Sequence, residues 1–466
     1  MDLPMRIRNE RQLLENVPSE ALRGLRRDAL DILRRAVEAV DPRGAVLRRL
    51  ELRGNHLRSD DFELDLNGFS RVFVVGGGKA GGAMAEAVEG LLGDRIAGGV
   101  VNVLKGTEER YRLRRIELKG ASHPIPDEDG VRGTGRMLSL AEEAGESDLV
   151  IVLISGGGSA LMTYPAEGIT LQEVRGLTEM LLRSGAKINE LNAVRKHLSA
   201  VKGGRLAGMT HPATVVSLIL SDVVGDPVDT IASGPTAPDR STFGDAIAVL
   251  RRHGLWDDAP DSVRRRLKAG VRGQINETPK PGDGVFEGVF NVVIGSNLTA
   301  ARAAVDRASA IGYNALLLST RIEGEARHVG TLYAGIAREI ATSGHPVPRP
   351  AAVIAGGETT VAVRGSGQGG RNQEIALSAA MRMEGLDGVI AALATDGIDG
   401  PTEAAGAIAD GLTMERARAK DLEPRGFLEN NDSNGFFSRL GDEILTGPTG
   451  TNVNDLAVIL VSHQRE

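Results

Sequence analysis

The sequence predicts an α/β fold of two α/β/α sandwich domains, the larger N-terminal one Rossmann-like with a mainly parallel sheet. Three observations carry that expectation. Short runs of continuous apolar residues alternate with amphipathic stretches, and strands apolar on both faces belong to parallel sheets covered by helices. Several of these runs end directly in glycine clusters, and glycine makes up 60 of the 466 residues, about twice its usual share. Glycine at that level without a collagen period marks tight strand-to-helix turns. The length allows two or three domains, and two are expected because α/β domains run large.

Taken in order, residues 19–41 read as an amphipathic helix capped by Ser19, with Leu22, Leu25, Ala29, Ile32, Leu33, Ala36 and Val40 on one face. Strands follow at 71–75, 99–104, 149–154 and 214–220, with a helical stretch at 264–272. Pro279, Pro281, Gly282, Gly284 and Gly288 then cluster over 277–288 and read as a linker. Strands of a second unit are expected at 289–294, 315–319, 351–355, 389–394 and 456–461, with Pro346, Pro348 and Pro350 punctuating a loop. The domains are accordingly placed at 1–288 and 289–466.

Composition removes several functional classes. Lysine and arginine total 55 against 62 aspartates and glutamates, a net charge of −7, whereas a general nucleic-acid binder needs a basic face. With no cysteine, disulfides, thiolate metal sites and cysteine nucleophiles are excluded. No apolar run approaches the roughly 18–20 residues of a membrane helix. Glu10, Glu15 and Glu20 interrupt the arginine-rich start, which fits neither a signal nor a transit peptide. A soluble, cytoplasmic protein is expected, compatible with a homodimer.

The strand at 71–75 runs into Gly76-Gly77-Gly78-Lys79-Ala80-Gly81, which satisfies G-x-G-x-x-G in the strand-to-helix context of a dinucleotide fingerprint. The acidic residue that such a fingerprint expects on the next strand is replaced by Lys105, which suits NADP better than NAD. Lys79 opens the helix, where the macrodipole disfavours a cation. It points either into solvent or at a strongly anionic ligand such as a phosphate. The Walker A pattern is absent.

A second junction, Ser155-Gly156-Gly157-Gly158-Ser159, offers hydroxyls and unhindered N–H groups to a carboxylate or phosphate, or is a glycine turn with Ser159 as a cap. It is not a G-x-S-x-G nucleophile elbow. Asn192, Arg195, Lys196 and Ser199 share a helical face by spacing, either holding an acid and a phosphate chain or forming a solvated basic surface. Asp222, Asp226 and Asp229 fall just past a strand, where a parallel sheet places catalytic groups. Such carboxylates could hold Mg²⁺ or accept a hydroxyl proton. Later, Gly356-Gly357-Glu358 is followed by a glycine loop ending in Gly369-Gly370-Arg371, and Asp396 and Asp399 follow a strand. A flexible loop delivering one guanidinium suits phosphoryl oxygens. Anion cradles and carboxylates without a His-rich ligand set favour magnesium-dependent phosphoryl transfer over zinc chemistry.

These motifs together resemble the glycerate 2-kinases of the MOFRL family, whose members have also carried the name hydroxypyruvate reductase. The resemblance rests on residues 76–82, Ser122-His123-Pro124-Ile125-Pro126-Asp127, 155–162, 192–204, 221–226 with Ser233-Gly234-Pro235-Thr236, and 369–374 with 395–400. It runs from about residue 20 to residue 461 in the same order. It implies two α/β domains with the active site in the cleft between them, ATP as donor, D-glycerate as acceptor and 2-phosphoglycerate as product. It also implies that Lys79 and Arg371 are the catalytic basic pair.

On the combined reading, Lys79, Arg371 and Asp222 are catalytic, and Gly77, Gly78, Ser155, Gly156, Gly157, Gly158, Ser159, Asn192, Arg195 and Lys196 bind substrate and phosphate. Gly356, Gly357, Glu358, Gly369, Gly370 and Asp396 are assigned to the nucleotide, and Asp222 and Asp226 to Mg²⁺. The alternative is an NADPH-dependent hydroxypyruvate reductase using residues 76–81 and Lys105 for the cofactor, with Lys196 or His197 as proton donor. A sensor of small acids without catalysis is a third reading, opposed by the presence of both Lys79 and Arg371.

Overall fold

The computed structural model describes residues 5–462. The chain divides into two compact units: Pro42–Ile294, and the flanking chain up to Asp41 together with everything from Gly295 onward. The expected boundary at 288 therefore moves, and the first helix belongs with the C-terminal unit.

The Pro42–Ile294 unit begins with helix Pro42–Arg49, followed by a small antiparallel sheet of β1 (Glu51–Arg53), β2 (His56–Ser59) and β3 (Phe62–Asp65), which carries no strong apolar alternation. Its main sheet comprises β4 (Arg71–Gly77), β5 (Ile96–Leu104), β6 (Ile116–Ala121), β7 (Asp148–Ile154), β8 (Thr214–Leu220) and β9 (Val289–Gly295), in the spatial order β6-β5-β4-β7-β8-β9. The pairs β4–β5, β4–β7, β5–β6 and β7–β8 are all parallel. Every residue of β7 is buried, as continuous apolar strands in a covered parallel sheet should be.

Chain order reverses between β4 and β7, so the crevice beyond their carboxyl ends is the topological switch point where open α/β sheets bind ligands. Because β9 adds to this sheet, residues 277–288 join two parts of one unit. Thr278 and Pro279 bond Asp239 there, and Glu277 accepts from the Phe243 amide. The proline and glycine cluster marks a packed loop, not a boundary.

The second unit holds β10 (Asn314–Ile322), β11 (Ala351–Gly357), β12 (Gly388–Ala394), β13 (Gly406–Asp410), β14 (Glu443–Ile444) and β15 (Asp455–Val461). Its order is β10-β11-β15-β12-β13-β14. Only β10–β11 is parallel, and β15 inserts antiparallel between β11 and β12. Helices Ala326–Ser343 and Arg371–Met383 pack against one face through Val353, Ala355, Ile390, Ala392 and Ile459.

Helix Glu20–Glu38 also lies on this sheet, against β12 and β15. Ser19 Oγ accepts from Leu22 N, and the expected apolar face is buried. The same helix carries a fully buried arginine. Arg26 donates through Nε to Asp410 (2.7 Å) and through both Nη atoms to Asp442 (2.7 and 3.0 Å), which locks the start of the chain to β13 and the turn after helix Ser433–Leu440.

Candidate active site

Two glycine loops leave the central strands of the Pro42–Ile294 unit and bond to each other at the switch point. Lys79 N donates to Gly156 O (2.8 Å). Ser155 Oγ accepts from Ala80 N (3.1 Å), supplying the start of helix Gly81–Leu92 with a cap that its own N-terminus lacks. Side chains are excluded by this approach: a Cβ on Gly78 would collide with Ser155 Oγ, and one on Gly76 with Leu153 O. Gly157, at φ +79°, turns the second loop. Its missing side chain leaves room for Lys79 and His123 on one side of the loop, while Gly156 does the same for Asp222.

Among the described residues the Lys79 ammonium has no carboxylate partner. His123 is neutral at physiological pH, because burial, and then the charge of Lys79, lower its pKa to about 4. Ser159 and Ser233 share a hydrogen bond (2.9 Å), and Ser233 donates onward to Asn192 Oδ1 (3.0 Å). That chain ties the second glycine loop to helix Ile188–His197. Asp222 Oδ2 stands 2.6 Å from the point a Cβ on Gly156 would occupy. Asp226 is on the same loop, with φ +58°.

The basic helix divides its side chains among different tasks. Lys196, assigned to substrate, donates instead to Asp239 (3.1 Å) in a buried pair. His197 is a core residue, with Nδ1 2.7 Å from Ala193 O, Nε2 3.1 Å from Glu277 and its ring edge-on to Phe243. Arg195 lines a cavity of about 480 Å³ with His123, Gly157, Ser159 and Lys202, and burial lowers its pKa to about 10. Lys202, which the sequence reading passed over, is buried and donates to Ser159 O (2.6 Å) and Met162 O (3.2 Å). Burial, and then Arg195, lower its pKa to about 7. Helical spacing could not reveal it, because helix Ile188–His197 ends before residue 202 and a turn brings the lysine back.

In the second unit Arg371 opens helix Arg371–Met383. Its guanidinium donates to Glu358 (2.8 Å) and Asp455 Oδ1 (3.1 Å), and its Nε forms an ion pair with Asp455 Oδ2 (2.5 Å). Asp455 is buried, which pushes its carboxyl up to about 7 against the pull of Arg371. Asp399 caps the same helix, accepting from the amides of Asn372 (3.1 Å) and Gln373 (2.9 Å).

The glycine loop before Arg371, expected to be flexible, is bonded along its length. Asn431 accepts from Arg364 N and Gly365 N, Asn430 from Ser366 N, and Asp432 from Gln368 N. Gly356, Gly369 and Gly370 are small because Asn297, Ser433 and Asp399 respectively stand where their side chains would go. Gly357 sits at φ +147° against Ile322. Asp396 closes a local turn by accepting from Ile398 N (3.1 Å). The residues assigned to the nucleotide thus have protein partners of their own.

Three comparisons with known proteins bear on this arrangement. The family model described as a domain of unknown function (DUF4147) matches residues 28–268, and the MOFRL family model matches residues 351–455. A glycerate 2-kinase from Pyrococcus horikoshii is 41% identical over 442 residues, covering 95% of this chain and 98% of that one. The chain belongs to the MOFRL glycerate 2-kinase family. A D-glycerate 2-kinase from Thermotoga maritima is 43% identical, with 94% and 98% covered. The crystal structure of a glycerate kinase from that organism superposes on this member of the MOFRL family with a TM-score of 0.84 at 41% identity, covering 94% of this chain and 99% of the other. Kinase activity brings a nucleotide co-substrate with it. No helix among the described residues is long and apolar enough to cross a membrane.

Proposed function

We propose that this chain is a glycerate 2-kinase that moves the γ-phosphoryl group of ATP to the C2 hydroxyl of D-glycerate, in the cytoplasm. The observation that carries the reading is Lys79. A lysine without a carboxylate partner among the described residues stands at a helix start, beside a second bonded glycine loop at the switch point, where the macrodipole already favours an anion.

In the reaction the C2 oxygen attacks the γ-phosphorus, the bond to the β,γ-bridging oxygen breaks, ADP leaves and the hydroxyl proton passes to a carboxylate. Lys79 and Arg371 offset charge on the transferring phosphoryl group. The loop 155–159 holds phosphate and glycerate oxygens. Asp222 and Asp226 supply the metal ligands and the proton acceptor. Among the described residues no three or more His, Asp or Glu side chains form a metal cluster. Mg²⁺ in phosphoryl-transfer sites needs only one or two carboxylates besides phosphate, and Asp222 at the Gly156 notch fits that donor set. When bound, the ion offsets phosphate charge.

The reductase reading loses its proposed groups. Lys105 is paired with Asp129 (2.8 Å) and faces Asp127 (3.9 Å), so a 2′-phosphate there would meet two carboxylates. Lys196 and His197 are both engaged in the core.

Phosphorus NMR of the protein with Mg·ATP and D-glycerate tests the proposal, with NADPH and hydroxypyruvate run in parallel. A 2-phosphoglycerate resonance growing with ADP supports it. NADPH consumption without phosphorylated glycerate overturns it.

A further inference from the structure

The cavity beside the second glycine loop is larger and more apolar than a three-carbon acid requires. Its volume of about 480 Å³ falls in the range of sites for drug-sized ligands. Arg195 and Lys202 line it with Ser159 and Gly157, as does Arg175, whose Nε donates to Pro126 O (2.5 Å). Gly157 adjoins Lys79, and the apolar lining comes from Ile125 and Pro126, and from Val174 and Leu182 of helix Leu171–Arg183. Ile125 and Leu182 are 65% and 58% exposed, unusual for large aliphatic side chains flanking a cavity. Among the described residues neither Arg195 nor Lys202 pairs with a carboxylate. Lys202 bonds carbonyl oxygens, and Glu179, which also lines the cavity, pairs with Arg183 (2.7 Å). Buried cations without counter-charge are costly unless a ligand brings it.

We infer that this cavity takes the base and ribose of the phosphoryl donor against its apolar walls, and that Arg195 and Lys202 direct the donor's phosphates past Gly157 toward Lys79. The inference rests on the kinase reading above and places the base, ribose and inner phosphates of the nucleotide within the Pro42–Ile294 unit, away from the glycines at 356–370. A nucleoside triphosphate is the ligand class that matches an apolar compartment joined to a line of cations and glycine-loop amides. Bidentate guanidinium contact suits two phosphate oxygens, and a buried ammonium suits a third.

Thr178, on the cavity wall, is the position to fill. Thr178→Trp should weaken ADP binding in calorimetry at least tenfold and raise the ATP KM similarly, with the D-glycerate KM within about twofold. A raised glycerate KM with unchanged ADP affinity would make the cavity the acceptor site and overturn the inference, as would no change in either. Labelling the unaltered protein with 8-azido-ATP reads the same question without a variant. Adducts in peptides spanning 124–126, 164 or 171–183 support the site, and adducts confined to 356–371 overturn it. Should ADP bind and 8-azido-ATP label here while glycerate is never phosphorylated, the kinase reading fails and the nucleotide site stands.

Discussion

Lys79 Cγ and His123 Nε2 each stand 3.3 Å from the point where a side chain on Gly157 would begin. The lysine and the imidazole therefore share a space that only glycine leaves open, and the lysine's charge adds to burial in keeping His123 neutral. Gly157→Ala should cost about 1–2 kcal/mol from the left-handed backbone alone. It should also lower kcat by about tenfold or more by displacing Lys79. Thermal unfolding and steady-state kinetics check both. A variant with wild-type kcat would disconnect the notch from catalysis.

Removing the charge of Lys79 has two separable effects. In Lys79→Met the pKa of His123 should rise from about 4 while staying below 6.5, since burial, the larger cause, remains. Imidazole NMR titration measures that shift. Independently, kcat should fall about 10³-fold with a smaller change in glycerate KM, as for other cations that stabilise a transferring phosphoryl group.

Arg371 is held by Glu358 and Asp455, so its replacement must be chosen with care. Arg371→Met leaves Asp455 buried without its cation and should destabilise the protein as well as lower activity. Arg371→Lys keeps the charge but loses the fork that spans both carboxylates. It should retain most of the stability while kcat falls by about 10²-fold or more. Equal kcat in Arg371→Lys and the unaltered protein would remove Arg371 from the chemistry.

The pH dependence of nucleotide binding follows from Lys202. Its pKa is lowered to about 7, so it is charged below that value and neutral above it. An anion favours the charged form, so ADP affinity should decline as pH rises through 7, by at most about tenfold per unit. Binding near pH 7 should take up a fraction of a proton, measurable by calorimetry in buffers of different ionisation enthalpy. Lys202→Met should flatten the profile.

Much of this architecture is legible in the chain. Continuous apolar strands ending in glycine place residues 71–77 and 148–154 at the centre of a parallel sheet, and the helix from Ser19 has its cap and face where spacing puts them. What spacing cannot give is the partner of a charged side chain. Arg195 and Lys196 are neighbours in sequence, yet one faces a cavity and the other an aspartate 43 residues away. The order of the second sheet is similarly hidden, because β15 pairs with strands far earlier in the chain. The proline and glycine run at 277–288 misleads for the opposite reason: turn chemistry marks a loop and says nothing of which sheet the next strand joins.

The buried arginine of the first long helix gives a further expectation. Arg26→Met leaves Asp410 and Asp442 buried, with Arg416 as the remaining cation among the described residues (2.6 Å from Asp442 and 3.8 Å from Asp410). Loss of one partner of a buried ionic cluster costs about 3–5 kcal/mol. Denaturant unfolding should show a loss of that size, and a change under about 1 kcal/mol would mean the ion cluster is dispensable.

The same helix dictates an order of events during synthesis. Its docking sites on helix Asn297–Ala310, β12, β15 and Asp442 are translated some 260 to 420 residues after it, once the whole of Pro42–Ile294 has been made. The intervening unit can complete its own sheet while the helix, apolar face exposed, waits for that helix and the strands that follow it. A nascent chain stalled before β15 should therefore hold a protease-resistant middle and a cleavable beginning, and it is this early segment that a chaperone would have to shield.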